Sequence, residues 1–234
     1  MKPARLRAPI FNPFAAFCFE SIFVPWRHFR LGGLHILNLP ESLPADRPVV
    51  LIGNHISNWD GFIFREIQKR LLPKWPIYSV MLEAELRRRP FIRLLGGIGM
   101  DPLSVASVAG AVRSVRTLRQ AGPDFFLSYF PQGGIFPSFK RPLGFRAGID
   151  LFIKALAPVT LIPVGLHMEP MNKLAPTLIA SLGRTMRVDK PSSVHRILED
   201  LVQTEISRIH NLLTLHGGES VLTTSLHPAT VSRT

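Results

Sequence analysis

Short apolar runs alternate with amphipathic stretches along most of the chain, and this alternation restricts the possible folds strongly. Runs with the length and composition of buried strands cover residues 49–53, 77–82, 125–130 and 159–166. Strands separated by helices pair in parallel, because each helix carries the chain back across the sheet. The pattern therefore predicts an α/β fold with a mostly parallel central sheet flanked by helices.

Three longer stretches have helical periodicity. The first follows Ser104, a suitable N-cap, and its apolar residues recur every three or four positions before Gly122. The second covers residues 145–156. The third presents apolar residues on one helix face over 194–213, and Gly217 follows it. Residues 35–217 are therefore expected to form one domain, and the polar stretch 218–234 a loose tail.

The first 34 residues have a different character. Basic residues begin the segment, a Phe-rich stretch follows, and Arg27 and Arg30 lie just after Trp26. Pro13 and Pro25 are expected to bracket a helix of about eleven residues, whereas a bilayer-spanning helix needs roughly 20 apolar residues. Segment 1–34 is therefore predicted to be amphipathic and to lie at a membrane interface. Packing on the protein's own core is the alternative.

The composition indicates an acidic partner. The 234 residues carry a formal charge of +12, yet 46% of them are hydrophobic. Anionic membranes and nucleic acids are the two candidates. Only two tyrosines occur, and basic and aromatic residues do not alternate, so a nucleic-acid partner is not expected. The single cysteine, Cys18, excludes an internal disulfide framework.

The stretch IGNHISNWDGF, residues 52–62, follows the first apolar run. His55 is expected at the carboxyl end of a strand, where open α/β sheets place their ligands. Asp60 begins the next helical stretch, where the helix dipole favours an ionised carboxylate. If Asp60 binds one imidazole nitrogen, the other is free to act as a general base. Ser57 and Asp60 also have the spacing of a capping box, which is the alternative interpretation.

The motif NHISNWD resembles the His-x4-Asp motif of the glycerolipid acyltransferases, the lysophosphatidic-acid acyltransferase-like family. Three further blocks of that family are matched in order over about residues 35–170. The second is similar to MLEAELRRRPFIRLLGGIGMD at 81–101, the third to FLSYFPQGG at 126–134 with FRAG at 145–148, and the fourth to LIPVGL at 161–166.

The resemblance implies transfer of a fatty acyl group from an acyl thioester, on coenzyme A or acyl carrier protein, to a hydroxyl of a lipid. His55 would take the hydroxyl proton, Asp60 would orient His55, and backbone amides at Gly133 and Gly134 would stabilise the oxyanion. No cofactor and no metal are implied. Membrane lipids are the expected partners, and the expected location is peripheral, on the cytoplasmic face of the cell membrane.

The departures from the family pattern concern the acceptor. Gln132 stands where the family has Glu, and Gly134-Ile135 stands where it has Thr-Arg. Pro102 replaces the arginine that follows the aspartate of the second block. In the family these arginines are associated with the phosphate of the acceptor. Since arginine grips phosphate in a bidentate manner, their absence predicts an acceptor without a phosphate at that place.

Six polar residues are predicted to contact substrate, and they are Asn54, Ser57, Gln132, Lys140, Arg141 and Arg146. The three basic ones could replace the missing arginines, and solvated surface charge is their alternative role. His167 is predicted to be a structural histidine. Two other functions stay open: a catalytically inactive lipid-binding relative, suggested by Gln132, and a basic nucleic-acid-binding protein. Retention of both His55 and Asp60 argues against the first.

Overall fold

Eight strands form one sheet in the computed structural model, which describes residues 9–171, 173–190 and 193–224. In chain order the strands are β1 (Gly33–Leu37), β2 (Val49–Gly53), β3 (Ile77–Leu82), β4 (Gly97–Met100), β5 (Phe126–Tyr129), β6 (Val159–Glu169), β7 (Thr177–Leu182) and β8 (Met186–Val188). Their order in space is β1-β7-β6-β2-β5-β3-β4, and β8 pairs with β6.

Six α-helices and one short 3₁₀ helix accompany the sheet in the described residues. They are α1 (Pro13–Arg30), α2 (Asp60–Leu71), α3 (Glu83–Arg88), the 3₁₀ helix Pro90–Leu94, α4 (Val105–Ala121), α5 (Gly148–Leu156) and α6 (His195–Thr224). Most strand pairs are parallel, and β6 pairs antiparallel with β7 and β8. The predicted α/β fold with a mostly parallel sheet is confirmed.

Strand β2 lies in the middle of the sheet and is buried on both faces. It pairs in parallel with β5 on one side and with β6 on the other. Because side chains alternate along a strand, Val50 and Ile52 pack toward α4, α5 and α6, and Val49 and Leu51 pack toward α2. The residues that follow β2 therefore emerge at the centre of the sheet's carboxyl edge.

Helix α1 is longer than the proline pattern predicts, because Pro25 lies inside the helix and does not end it. An internal proline weakens helical hydrogen bonding, but aromatic contacts hold the chain on both sides of it. The ring centroids of Phe23 and Phe62 are 3.7 Å apart, and those of Trp26 and Trp59 are 5.0 Å apart. The predicted helix of about eleven residues was wrong for this reason.

One face of α1 packs on α2, and the other is exposed and apolar. On the packed face, Glu20 forms ion pairs with Arg65 and Lys69 at N–O distances of 2.9 and 2.5 Å. The outward face includes side chains that are between 68% and 84% exposed, namely Phe14, Phe17, Ile22 and Phe29. No helix in the described ranges has the length and apolarity needed to cross a membrane.

Both ends of α1 are hydrogen-bonded to the rest of the domain. Before the helix, the Asn12 N–H donates to the Leu94 carbonyl at 2.8 Å. After it, the Gly32 N–H donates to the Pro176 carbonyl at 2.9 Å, and β1 pairs with β7. The predicted boundary between residues 34 and 35 thus falls inside β1, a strand of the main sheet.

Two other helices depart from the sequence prediction at one end. Helix α5 begins at Gly148 instead of residue 145, because the preceding residues form a loop. Helix α6 continues past Gly217 to Thr224, so it includes part of the predicted tail, and residues 225–234 lie outside the described ranges. Asp150 Oδ1 holds the start of α6 by accepting from the N–H groups of Val194 and His195.

Candidate active site

His55 follows β2 and is held through its backbone on both sides. Its N–H donates to Gln132 Oε1 at 2.6 Å, and its carbonyl accepts from the Phe136 N–H at 2.8 Å. Its ring stacks on Phe130 with a centroid distance of 4.5 Å. Phe130 and Phe136 flank the PQGG turn, and their proximity to His55 was not predicted, since only the fold brings the two loops together.

Asp60 is completely buried and binds the His55 ring. Its Oδ2 lies 2.7 Å from His55 Nδ1 and also accepts from the N–H groups of Ile56 and Ser57. Its Oδ1 accepts from the Ser57 hydroxyl at 2.6 Å. The carboxylate therefore fixes the Nδ1–H tautomer of His55, whose side chain is 24% exposed. This arrangement leaves Nε2 free to exchange protons.

The Ser57–Asp60 pair also forms one of the two hydrogen bonds of a capping box. The Ser57 N–H donates to Asp60, as a capping box requires, but the Ser57 hydroxyl accepts from the Trp59 N–H at 3.1 Å. The hydroxyl is thus used both as donor and as acceptor within its own loop. The capping and catalytic interpretations of Asp60 are compatible, and the predicted substrate contact of Ser57 finds no support in these bonds.

Asn54 was predicted to bind substrate, but its side chain is buried and engaged elsewhere. Its Nδ2 donates to the Leu166 carbonyl at 2.8 Å, and its Oδ1 accepts from the Leu166 N–H at 2.7 Å. Both ends of the amide are therefore bound to the neighbouring strand. Asn54 extends the pairing of β2 with β6 beyond the last strand residue and so supports the loop that carries His55.

The two glycines of the PQGG turn differ in whether their backbone N–H is available to bind an oxyanion. Gly133 has a positive φ of 71° and donates its N–H to the Phe130 carbonyl at 3.1 Å, so this N–H closes the turn itself. The hydrogen bonds of the described residues include none from the Gly134 N–H. Of the two predicted backbone donors, Gly134 is the one that remains open.

The three basic candidates have different environments. The Arg146 guanidinium lies against the PQGG turn, where a Cβ on Gly133 would be 3.3 Å from it. Lys140 Nζ lies 3.5 Å from the ring centroid of Phe136. Arg141 donates to the carbonyls of Ser138 and Lys140 and is used within its own loop, and burial lowers its pKa. Arg146 and Lys140 therefore lie beside the His55 loop, whereas Arg141 is turned to other partners.

His167 has the structural environment that was predicted for it. It is buried, its Nδ1 lies 3.2 Å from Nε2 of His210 on α6, and its Nε2 lies 3.4 Å from a Glu169 carboxylate oxygen. Burial lowers the pKa of both histidines. Within the residues described, no group of three His, Cys, Asp or Glu side chains is placed to hold a metal ion.

The mostly parallel sheet holds a buried aspartate against a histidine at its carboxyl edge, an arrangement that can take up and release a proton. The family model described as Acyltransferase matches residues 36–167, which is more than half of the chain. The matched range includes His55, Asp60 and the PQGG turn. The chain belongs to this acyltransferase family and is an enzyme of the O-acyltransferase type, as its sequence motifs implied.

A solved structure supports the fold. The crystal structure of the 1-acyl-sn-glycerophosphate (LPA) acyltransferase PlsC from Thermotoga maritima is similar to this chain with a TM-score of 0.51 and 18% sequence identity. The similarity covers 84% of this chain and 92% of that one. No curated protein sequence matches the chain.

Proposed function

We propose that this protein transfers a fatty acyl group from an acyl thioester to a hydroxyl group of a lipid, with His55 as the general base. The observation that carries the proposal is the 2.7 Å contact between His55 Nδ1 and the buried Asp60 carboxylate, which leaves Nε2 as the free nitrogen of a partly exposed ring. A serine or cysteine nucleophile is not needed, because the acceptor brings its own hydroxyl.

In the proposed reaction, Nε2 of His55 takes the proton of the acceptor hydroxyl while the oxygen attacks the thioester carbonyl. The resulting oxyanion is stabilised by the Gly134 N–H and by the positive charge of Arg146. When the tetrahedral intermediate collapses, the C–S bond breaks. The thiolate then receives the proton from His55, which regenerates the neutral base and yields an ester and a free thiol.

The proposal is tested by following thiol release from an acyl thioester. Purified protein with palmitoyl-coenzyme A or palmitoyl-acyl carrier protein is expected to release thiol only when a lipid alcohol is added, and the acylated lipid should appear in equal amount. The relative rates with the two thioesters identify the donor. Thiol release that is independent of any acceptor would indicate a hydrolase and contradict the proposal.

A peripheral position on the cytoplasmic face of the cell membrane is part of the proposal. The exposed apolar face of α1 and the net charge of +12 suit an anionic bilayer surface. The basic residues at positions 2, 5 and 7 belong to the same segment but lie outside the described residues. Acyl thioesters are made on the cytoplasmic side, where this surface would meet both substrates.

Removing large side chains from the outward face of α1 is expected to weaken membrane binding. Phe14 and Phe29 are 74% and 84% exposed, and the double variant Phe14→Ser/Phe29→Ser should bind anionic vesicles at least about tenfold more weakly. Vesicle sedimentation at several salt concentrations measures the change, and binding of the wild-type protein should also weaken as salt is raised.

The matched control places the same substitutions on another surface. Leu151 on α5 and Ile197 on α6 are 48% and 51% exposed, and the double variant Leu151→Ser/Ile197→Ser should bind vesicles like the wild type. An equal loss of vesicle binding in both double variants, or no loss in either, would contradict the assignment of α1 as the membrane-binding surface.

A further inference from the structure

Gln132 occupies the position where the family motif has glutamate, and its amide is bonded at both ends. The side chain is only 3% exposed. Its Oε1 accepts from the His55 N–H at 2.6 Å, and its Nε2 donates to the Leu143 carbonyl at 3.0 Å. We propose that Gln132 is a positioning residue: it holds His55, the proposed base, at a fixed distance from the loop that contains Leu143 and Arg146. This inference rests on the proposed function of His55.

The two partners of Gln132 have opposite polarity, which explains why an amide fits this position. A backbone N–H requires an acceptor, and a backbone carbonyl requires a donor. An ionised glutamate would satisfy His55 but would place a carboxylate oxygen against the Leu143 carbonyl in a buried site. A protonated glutamate has both an acceptor and a donor, so it would restore both bonds.

The loop that Gln132 reaches is held from its other side by α6. Glu199 accepts from the Gly144 N–H at 2.7 Å and from the Phe145 N–H at 2.9 Å. Arg146 follows directly, and its N–H donates to the Pro131 carbonyl at 3.1 Å. The loop is thus bound at consecutive residues, and Gln132 is the side chain that connects it to the backbone of the catalytic histidine.

The charged groups around this position have opposing effects on a carboxyl group placed there. Asp60 binds the loop that carries His55, and Glu199 binds the residues that follow Leu143. The negative charges of both would raise the pKa of a carboxyl group at position 132. Arg146 lies beside the adjacent Gly133, Lys140 lies over Phe136, and both would lower it. The His55 N–H donor favours the ionised form, whereas burial and the facing Leu143 carbonyl add to the upward shift, so we expect the pKa of this carboxyl to be raised overall and the group to take up a proton as pH falls.

The test compares Gln132→Glu with the wild type as a function of pH. At about pH 8.5 the variant should be folded but have kcat at least about tenfold lower, with a smaller change in KM. As pH is lowered to about 6, its kcat relative to wild type should rise at least about fivefold, because protonation restores the donor to Leu143. Gln132→Met removes both bonds and should lose activity by a factor that does not depend on pH.

A matched control is Gln68 on α2, a fully buried glutamine whose amide is also bonded at both ends, to Arg65 and to the Leu72 carbonyl. Gln68→Glu should leave kcat and its pH profile unchanged.

The inference would be overturned if the ratio of kcat of Gln132→Glu to that of the wild type did not change with pH. Failure of Gln132→Glu to fold at both pH values would overturn it as well. If the wild type has no acyl-transfer activity, the proposed function has failed. The pH dependence of the thermal stability of Gln132→Glu then still tests the paired hydrogen bonds.

Discussion

Replacing His55 by alanine is expected to lower kcat for acyl transfer by about 10²–10⁴-fold, the usual contribution of a general base. The fold should survive, because the bonds to Gln132 and Phe136 use the backbone of His55 and not its ring. Asp60 also keeps its contacts with Ile56 and Ser57. Steady-state kinetics and thermal unfolding of the purified variant measure both effects.

The protein contains its own control for this experiment. His195 Nδ1 lies 2.8 Å from Asp150 Oδ2, and its side chain is 21% exposed, so it is similar to His55 in its contact and exposure, although Asp150 is 17% exposed and Asp60 is fully buried. It lies at the start of α6, where it holds the helix terminus. His195→Ala should therefore reduce stability modestly and leave kcat unchanged. Near-normal turnover in folded His55→Ala would contradict the proposed mechanism.

Asp60→Asn tests the orienting role separately. The amide can keep an acceptor oxygen for the N–H groups of Ile56 and Ser57 and for His55 Nδ1, but it has no negative charge to stabilise the protonated imidazole. A large loss of kcat is expected, together with a loss of helix-capping stability of about 1 kcal/mol.

Lysophosphatidic acid and glycerol-3-phosphate are expected to be poor acceptors compared with a neutral or sugar-bearing lipid alcohol. Each charge-assisted hydrogen bond to a phosphate contributes roughly 1.5–3 kcal/mol, and two arginines of the family pattern are replaced here by Pro102 and Ile135. Losing both donors should weaken a phosphate-bearing acceptor by about a thousandfold. Of the basic candidates, Arg146 and Lys140 remain beside the catalytic loop.

The measurement is a comparison of kcat/KM for these acceptors with one acyl thioester under the same conditions. Efficient acylation of lysophosphatidic acid by both the wild type and an Arg146→Ala/Lys140→Ala variant would contradict the prediction. Because Arg146 is also the proposed oxyanion stabiliser, the variant should lose some activity toward every acceptor. If it lost much more activity toward lysophosphatidic acid than toward the neutral acceptor, the phosphate-binding function would have moved to Arg146 and Lys140. Arg141→Ala is the matched control, because its guanidinium binds carbonyls of its own loop.

The parts of the fold that were predictable are those in which local pattern and burial agree. Strands β2 and β3 have the bounds that their apolar runs indicate, and α4 begins after Ser104 and ends before Gly122. Strand β1 was not predicted, because its five residues include His35 and are mostly half-buried at the edge of the sheet. The length of α1 depends on aromatic contacts with α2, which lie outside the range of local rules.

The candidate site shows the same division. The contact of His55 with Asp60 could be anticipated as a possibility, since a loop that runs into a helix start can turn back and bring two residues five positions apart together. The roles of Asn54 and Gln132 depend on partners that only the folded sheet supplies, namely Leu166, which is 112 residues from Asn54, and Leu143. Asn54 and Gln132 were therefore predicted to bind substrate, although their side-chain amides bind backbone groups of the protein itself.

The attachment of α1 at both of its ends has a consequence for how the enzyme would meet its substrates. If a membrane-bound helix is joined to its domain by a flexible linker, the domain can change its orientation relative to the bilayer. Here the Asn12 and Gly32 hydrogen bonds and the pairing of β1 with β7 join α1 to the same sheet that carries His55. If α1 rests on the lipid surface, the height and tilt of His55, the proposed general base, above that surface are set by the fold. The enzyme would then select acceptors by how far their hydroxyl group stands above the acyl chains, in addition to the chemistry of the headgroup.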